Sequence, residues 1–250
     1  MRESSPITNK VAQVTFAFWI LKICATTLGE TGGDLLSMTL GVGYGASSLI
    51  LVAFFLLVLA AQVRAARFHP LLYWSVILLT STAGTTMSDF MDRSLGLGYA
   101  RGSALLIALL AAALGAWRLS EGSLSVSRIR TRRAELFYWA AILCSNTLGT
   151  AFGDYLSDAS GLGFARCALL IGGAIALCAM LYRFTRLSRV ALFWAAFVLT
   201  RPFGAEAGDL LTKTHAQGGL ALGTLGASLV LLAVFVAGLW ATRGPRPEAA

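Results

Sequence analysis

Trp19-Ile20-Leu21-Lys22-Ile23-Cys24-Ala25-Thr26-Thr27-Leu28-Gly29-Glu30-Thr31-Gly32-Gly33-Asp34 is a greasy stretch closed by a carboxylate, and the chain repeats its plan four times. Trp74, Trp139 and Trp194 are likewise each followed fifteen residues later by an aspartate: Asp89, Asp154 and Asp209. A carboxylate inside a segment apolar enough to cross a bilayer is costly, so it points to function by default. Four in register suggest one shared site.

Composition sets the class. Apolar residues make up 57% of the chain and charged ones only 13%, against about 25% charged in soluble domains. The fold expected is an all-α membrane protein of 250 residues forming a single integral membrane domain. Eight transmembrane helices are expected near residues 11–36, 44–63, 71–91, 99–117, 136–156, 164–182, 190–211 and 220–240, each close to the ~20 residues a crossing helix needs. The polar start, Met1 to Lys10, lacks the pattern of a removable signal peptide. Cys24, Cys144, Cys167 and Cys178 fall inside the expected spans without the close spacing of a metal knuckle, and read as small apolar fillers.

A net charge of +8 invites a nucleic-acid partner, but its placement argues against one. Arg2 and Lys10, Arg64 and Arg67, Arg118 with Arg128, Arg130, Arg132 and Arg133, Arg183 with Arg186 and Arg189, and Arg243 with Arg246 all fall on one side of an eight-span chain. That is the positive-inside pattern, so both termini are expected in the cytoplasm. The partners implied are membrane lipid and whatever the carboxylates hold; association of copies with one another stays open.

The tryptophans are spaced 55, 65 and 55 residues apart. Four two-helix repeats, about 11–66, 67–120, 134–186 and 187–242, follow, with a cytoplasmic connection at 119–133. Each crosses twice, so the copies run in parallel rather than inverted. Counted from Trp, position ten is always glycine (Gly29, Gly84, Gly149, Gly204), and position fourteen is Gly33, Ser88, Gly153 or Gly208. Small residues four apart let helices approach closely in lipid, so the odd-numbered spans should form an inner layer on which the four carboxylates converge. The tryptophans read as interface anchors. Gly41-Val42-Gly43, Gly96-Leu97-Gly98 and Gly161-Leu162-Gly163 read as turns into the next span, degenerating to Gln217-Gly218-Gly219 in copy four.

The repeated Trp, the Thr/Ser and Gly before Asp, and the trailing Gly-Leu-Gly-Tyr resemble a bacterial membrane-anchored family built of four tandem two-helix repeats of unknown function. The resemblance covers nearly the whole chain. It implies this architecture and residence in a bacterial cytoplasmic membrane; some members of the family are described as regulators, a role in metal-ion, particularly manganese, export also fits such proteins, and the resemblance supplies no binding residues.

The copies differ in ways that bear on chemistry. Copy one adds Glu30, four residues before Asp34, and copy four adds Glu206, three before Asp209, so each pair shares a helix face. Copies two and three instead carry Arg101 and Arg166, expected to neutralise Asp89 and Asp154, because a charge withdrawn from water must be paired. The candidate metal site is therefore Glu30, Asp34, Glu206 and Asp209, where spans one and seven meet. Thr26, Thr27, Thr31, Asn146 and Thr147 offer neutral oxygens, and an oxygen-only set suits magnesium, calcium or manganese, with manganese first. Arg201 stands as an internal countercharge, Lys213 as a partner for Asp209, and Pro202 as a breaker of span seven.

The leading function is a hard divalent-cation transporter, a manganese exporter with protons exchanging at the same carboxylates, and needing no cofactor. The alternative is a regulatory or interaction protein that transports nothing. No paired His/Glu zinc motif, nucleophile elbow or phosphate loop supports an enzyme.

Overall fold

Helix starts alternate between two devices. Thr15, Thr131 and Ser188 cap inner helices by accepting from the backbone N–H three residues on, and Pro70 opens another at its first turn. Gly43, Gly98, Gly163 and Gly223, all at φ between +71° and +83°, open the outer helices. The computed structural model describes residues 10–129 and 131–242, and all regular structure among them is helix, with no strand. Arg2, Arg130, Arg243 and Arg246, which contributed to the expected charge asymmetry, lie outside the described residues.

Eight helices follow in order: α1 Phe16–Asp34, α2 Tyr44–Arg64, α3 Pro70–Asp89, α4 Tyr99–Glu121, α5 Arg132–Asp154, α6 Phe164–Phe184, α7 Arg189–Thr212 and α8 Thr224–Ala241. Five of them, α2, α4, α6, α7 and α8, are long and apolar enough to cross a membrane. Past Asp34, Asp89 and Asp154 the inner helices run on through a wide π-helical turn. Helix α7 stops instead at Thr212, and Lys213 turns into extended backbone. Pro202 does not break α7, which is continuous through it. Copy four's turn glycine is not in Gln217-Gly218-Gly219: Ala221-Leu222-Gly223 takes that place, with Ala221 itself at φ +58°.

The inner helices close into a ring in which α1 meets α3, α3 meets α5, α5 meets α7, and α7 returns to α1. Each outer helix lies on the next repeat's inner one, α2 on α3, α4 on α5, α6 on α7 and α8 on α1. Position ten explains the closure. A Cβ on Gly29 would overlap Ser81, one on Gly84 would sit 2.9 Å from the Asn146 carbonyl carbon, one on Gly149 would overlap Arg201, and one on Gly204 would overlap Thr26. Each glycine thus admits the position-seven residue of the following copy, four times around.

The tryptophans depart from the interface role expected of them. Trp74, Trp139 and Trp194 are buried, and with Phe18, Trp19, Tyr73, Tyr138 and Phe193 they form a continuous aromatic cluster at one end of the ring. A ring closed by parallel inner helices turns these side chains toward neighbours rather than toward lipid. The opposite end is formed by the aspartates.

Gly84→Val is expected to destabilise the protein by about 1–3 kcal/mol, the usual cost of overpacking. Gly115→Ala, where an added Cβ meets nothing within 4 Å, is the control that leaves thermal unfolding in detergent unchanged or slightly raised.

Candidate functional site

Residues four apart stack on one helix face, and positions −1, 3, 7, 11 and 15 from each Trp make such a stripe on all four inner helices. The stripes meet along the ring's axis as five layers. Phe18, Tyr73, Tyr138 and Phe193 form the first, where the Tyr73 and Tyr138 hydroxyls lie 2.6 Å apart. In the second, Lys22 sits among Ile77, Ile142 and Phe197. It is fully buried, donates to Asn146 Oδ1 at 3.2 Å and lies 4.3 Å over the Phe197 ring.

The third and fourth layers share one network. Arg201, fully buried, projects from α7 and reaches the other three inner helices. Its Nη2 donates to Glu30 Oε2 at 2.9 Å, to Thr150 Oγ1 at 2.7 Å, to Thr85 Oγ1 and to the Ser81 carbonyl at 3.3 Å. Thr85 and Thr150 in turn donate to the same Glu30 oxygen. Glu30 Oε1 stays outside this network. Arg201 Nε and Nη1 have no hydrogen-bond partner.

The fifth layer holds the four aspartates in two bridged pairs. Lys213 Nζ lies 2.7 Å from Asp34 and 3.1 Å from Asp209; Arg93 lies 3.0 Å from both Asp89 and Asp154. Adding 120 to the numbers Asp34, Asp89 and Arg93 gives Asp154, Asp209 and Lys213, so one half of the chain copies the other with Lys in place of Arg. Burial works against the charges on Arg93 and Lys213, but the two carboxylates beside each outweigh it and hold both above their ordinary pKa. Glu30, Asp34 and Asp209 each offer one oxygen within 4.8 Å of the others. Beside them lies a cavity of about 500 Å³ bordered by Asp34, Arg93, Asp158, Asp209 and Lys213.

Three of the four expected ligands therefore come together, and Glu206 does not. Its side chain turns toward α5, where a Cβ on Gly153 would stand 2.9 Å from Oε1; it is fully buried, with the Ser157 hydroxyl and the Cys167 thiol as its polar neighbours. Arg101 and Arg166 are exposed and do not meet Asp89 or Asp154. Arg93 does that work: it lies one helical turn past Asp89 in the same repeat, and the ring brings Asp154 of the following repeat against it. Thr27 bonds the Ile23 carbonyl, Thr31 accepts from Ser228, and Asn146 is engaged by Lys22 and Thr80. The neutral oxygens beside the acidic group are instead those of Thr85 and Thr150. Arg93 had a signal in the sequence, lying four residues after its Asp as Lys213 does. Lys22, placed one helical turn before Thr26, had one too.

A four-repeat helical ring, plugged by aromatic rings at one end and acidic at the other, defines a helical-repeat protein with an axial polar site. The chain belongs to the family described as Repeat of Unknown Function (DUF347), whose model matches residues 17–68, 72–123, 137–188 and 192–244. No curated protein and no solved structure matches it.

Arg201→Gln is expected to destabilise the protein by about 3–5 kcal/mol, because it leaves Glu30 buried without its cation. Adding Glu30→Gln should recover part of that loss. Chemical unfolding of the two single variants and the double variant in detergent measures the coupling; strictly additive losses would show that the pair does not act as a unit.

Proposed function

We propose that this protein is a multi-pass membrane transporter of a hard divalent cation, manganese first, and that it exports the ion across a bacterial cytoplasmic membrane. In this reading all eight helices cross. Helices α1, α3 and α5 are shielded from lipid by the outer helices, so they need less apolar character than those helices do. Arg64, Arg118 and Arg183 lie at the aromatic end of the outer helices, and the positive-inside rule supports a cytoplasmic placement of that end and of both termini, with the acidic end outward.

The observation that carries the proposal is the convergence of Glu30, Asp34 and Asp209 beside a cavity. Hard divalent ions take oxygen ligands at about 2.0–2.6 Å, so three oxygens within 4.8 Å of one another can bind one such ion. The buried groups there, with no imidazole or thiol among the three, favour magnesium, calcium or manganese over zinc or copper. Protons are natural counter-ions at the same carboxylates.

Below the acidic layer the axis holds Arg201, then Lys22, then the aromatic cluster. A cation cannot diffuse past two buried basic side chains and a layer of rings. The mode of action is thus that of a carrier that rearranges, rather than an open pore.

In a manganese-sensitive bacterial strain the parent protein should lower cellular manganese. Glu30→Gln, Asp34→Asn and Asp209→Asn should each reduce efflux by at least about tenfold, since even outer-shell partners of a bound metal are worth 10- to 100-fold. Glu206→Gln, off the cluster, should bind the ion as the parent does. Metal content measured by mass spectrometry decides it: three inactive-site variants that protect as well as the parent would remove the site.

A further inference from the structure

Resting on the transport reading, we propose that the ammonium of Lys213 is a tethered stand-in for the transported cation. It holds the carboxylates when the site is empty, leaves when a divalent ion enters, and returns to neutralise them so that the empty carrier can reverse.

The comparison between the two bridged pairs supports this. Arg93 uses two different nitrogens, Nε on Asp89 and Nη2 on Asp154, and its guanidinium also lies 5.7 Å from the Tyr99 ring centre. A planar fork held at three places is a fixed clamp. Lys213 bridges Asp34 and Asp209 through one nitrogen, as a metal ion would through one centre. An ammonium is a compact point charge on a flexible stem, and it can be withdrawn without rebuilding the site.

The backbone differs in the same sense. Arg93 rides on a π-helical turn continuous with α3, whereas α7 ends at Thr212 and Lys213 is extended, at φ −68° and ψ 156°. Its carbonyl is held by the Ala221 N–H at 2.9 Å, so the main chain is anchored while the side chain borders the cavity of about 500 Å³. There is room for the ammonium to withdraw.

Charge requires some such device. On the inner helices the carboxylates of Glu30, Asp34, Asp89, Asp154, Glu206 and Asp209 are all buried, and the cations that pair with them are Arg93, Arg201 and Lys213. Arg201 meets Glu30 only at Oε2, leaving Oε1 for an ion. A divalent ion between Asp34 and Asp209 would occupy the space of the Lys213 nitrogen, so the two are mutually exclusive. Once the ion has left, two buried aspartates without Lys213 would be uncompensated, and such a state is strongly disfavoured in a low-dielectric interior.

The test uses the full chain reconstituted in phospholipid vesicles, with radioactive manganese, in two assays: net flux into vesicles lacking the metal, and exchange against unlabelled manganese inside. For wild type both should proceed. Lys213→Gln should bind manganese about tenfold or more tightly, because a competitor that occupies the site most of the time is gone. It should retain exchange and lose net flux, since only the loaded form can reorient. Lys213→Arg keeps the charge and the fold but imposes the clamp of Arg93, and should weaken manganese binding and slow both fluxes. Net flux at the wild-type rate in either variant, or loss of exchange along with net flux in a Lys213→Gln protein that still binds the metal, overturns the proposal. Should Lys213→Gln not fold, the Lys213→Arg result decides. Wild-type protein inert in both assays contradicts the transport reading itself, which is a different outcome from any of these.

Discussion

One backbone contact, made four times, governs the rest: the glycine ten residues after each tryptophan lies against the residue seven after the next tryptophan. Gly149 against Arg201 and Gly204 against Thr26 are too close for any side chain larger than hydrogen. Where lipid removes the hydrophobic drive for association, such close approach is what holds helices together. The contact also fixes rotation about each helix axis. Once position ten faces a neighbour, positions three, seven, eleven and fifteen face the centre, and the polar stripe follows without further instruction.

Identical rings of this kind would place four equal side chains in each layer, and the proposed function rests on the places where they are unequal. Arg201 replaces the small polar residue of its three counterparts and finds Glu30, the acid that replaces threonine or alanine, one layer away. That pair is fully desolvated, so removing either partner costs far more than the pair contributes in net stability. At the aspartate layer, Arg93 and Lys213 repeat one geometry with different chemistry, one bridging through two nitrogens and the other through one. In the proposed carrier these two asymmetries divide the work: one keeps the ring together, and the other makes the acidic end exchangeable.

Much of the architecture was legible in the sequence. The Trp-to-Asp interval counted the repeats, and position-ten glycine named the inner helices and their close packing. Partner choice was half legible: Arg93, four residues after Asp89, is a better local partner than Arg101, but a single copy does not show that the same guanidinium also takes Asp154. The order of repeats around the axis decides the second partner, and no single repeat records that one. Glu206 misled for a related reason: three residues before Asp209 it shares a helix face, yet that spacing rotates it toward α5 and Gly153 instead of toward Glu30. The tryptophans looked like interface anchors because aromatic residues at helix ends usually are. Only the closed ring shows that a helix end can face other helix ends.

The most direct measurement is an anomalous-difference map at the manganese absorption edge from crystals grown with the ion. The proposed site predicts one peak in contact with Asp34 and Asp209 and with Glu30 Oε1, and the Lys213 ammonium withdrawn into the cavity. An unoccupied cluster at saturating manganese, with Lys213 still bridging the two aspartates, would contradict it.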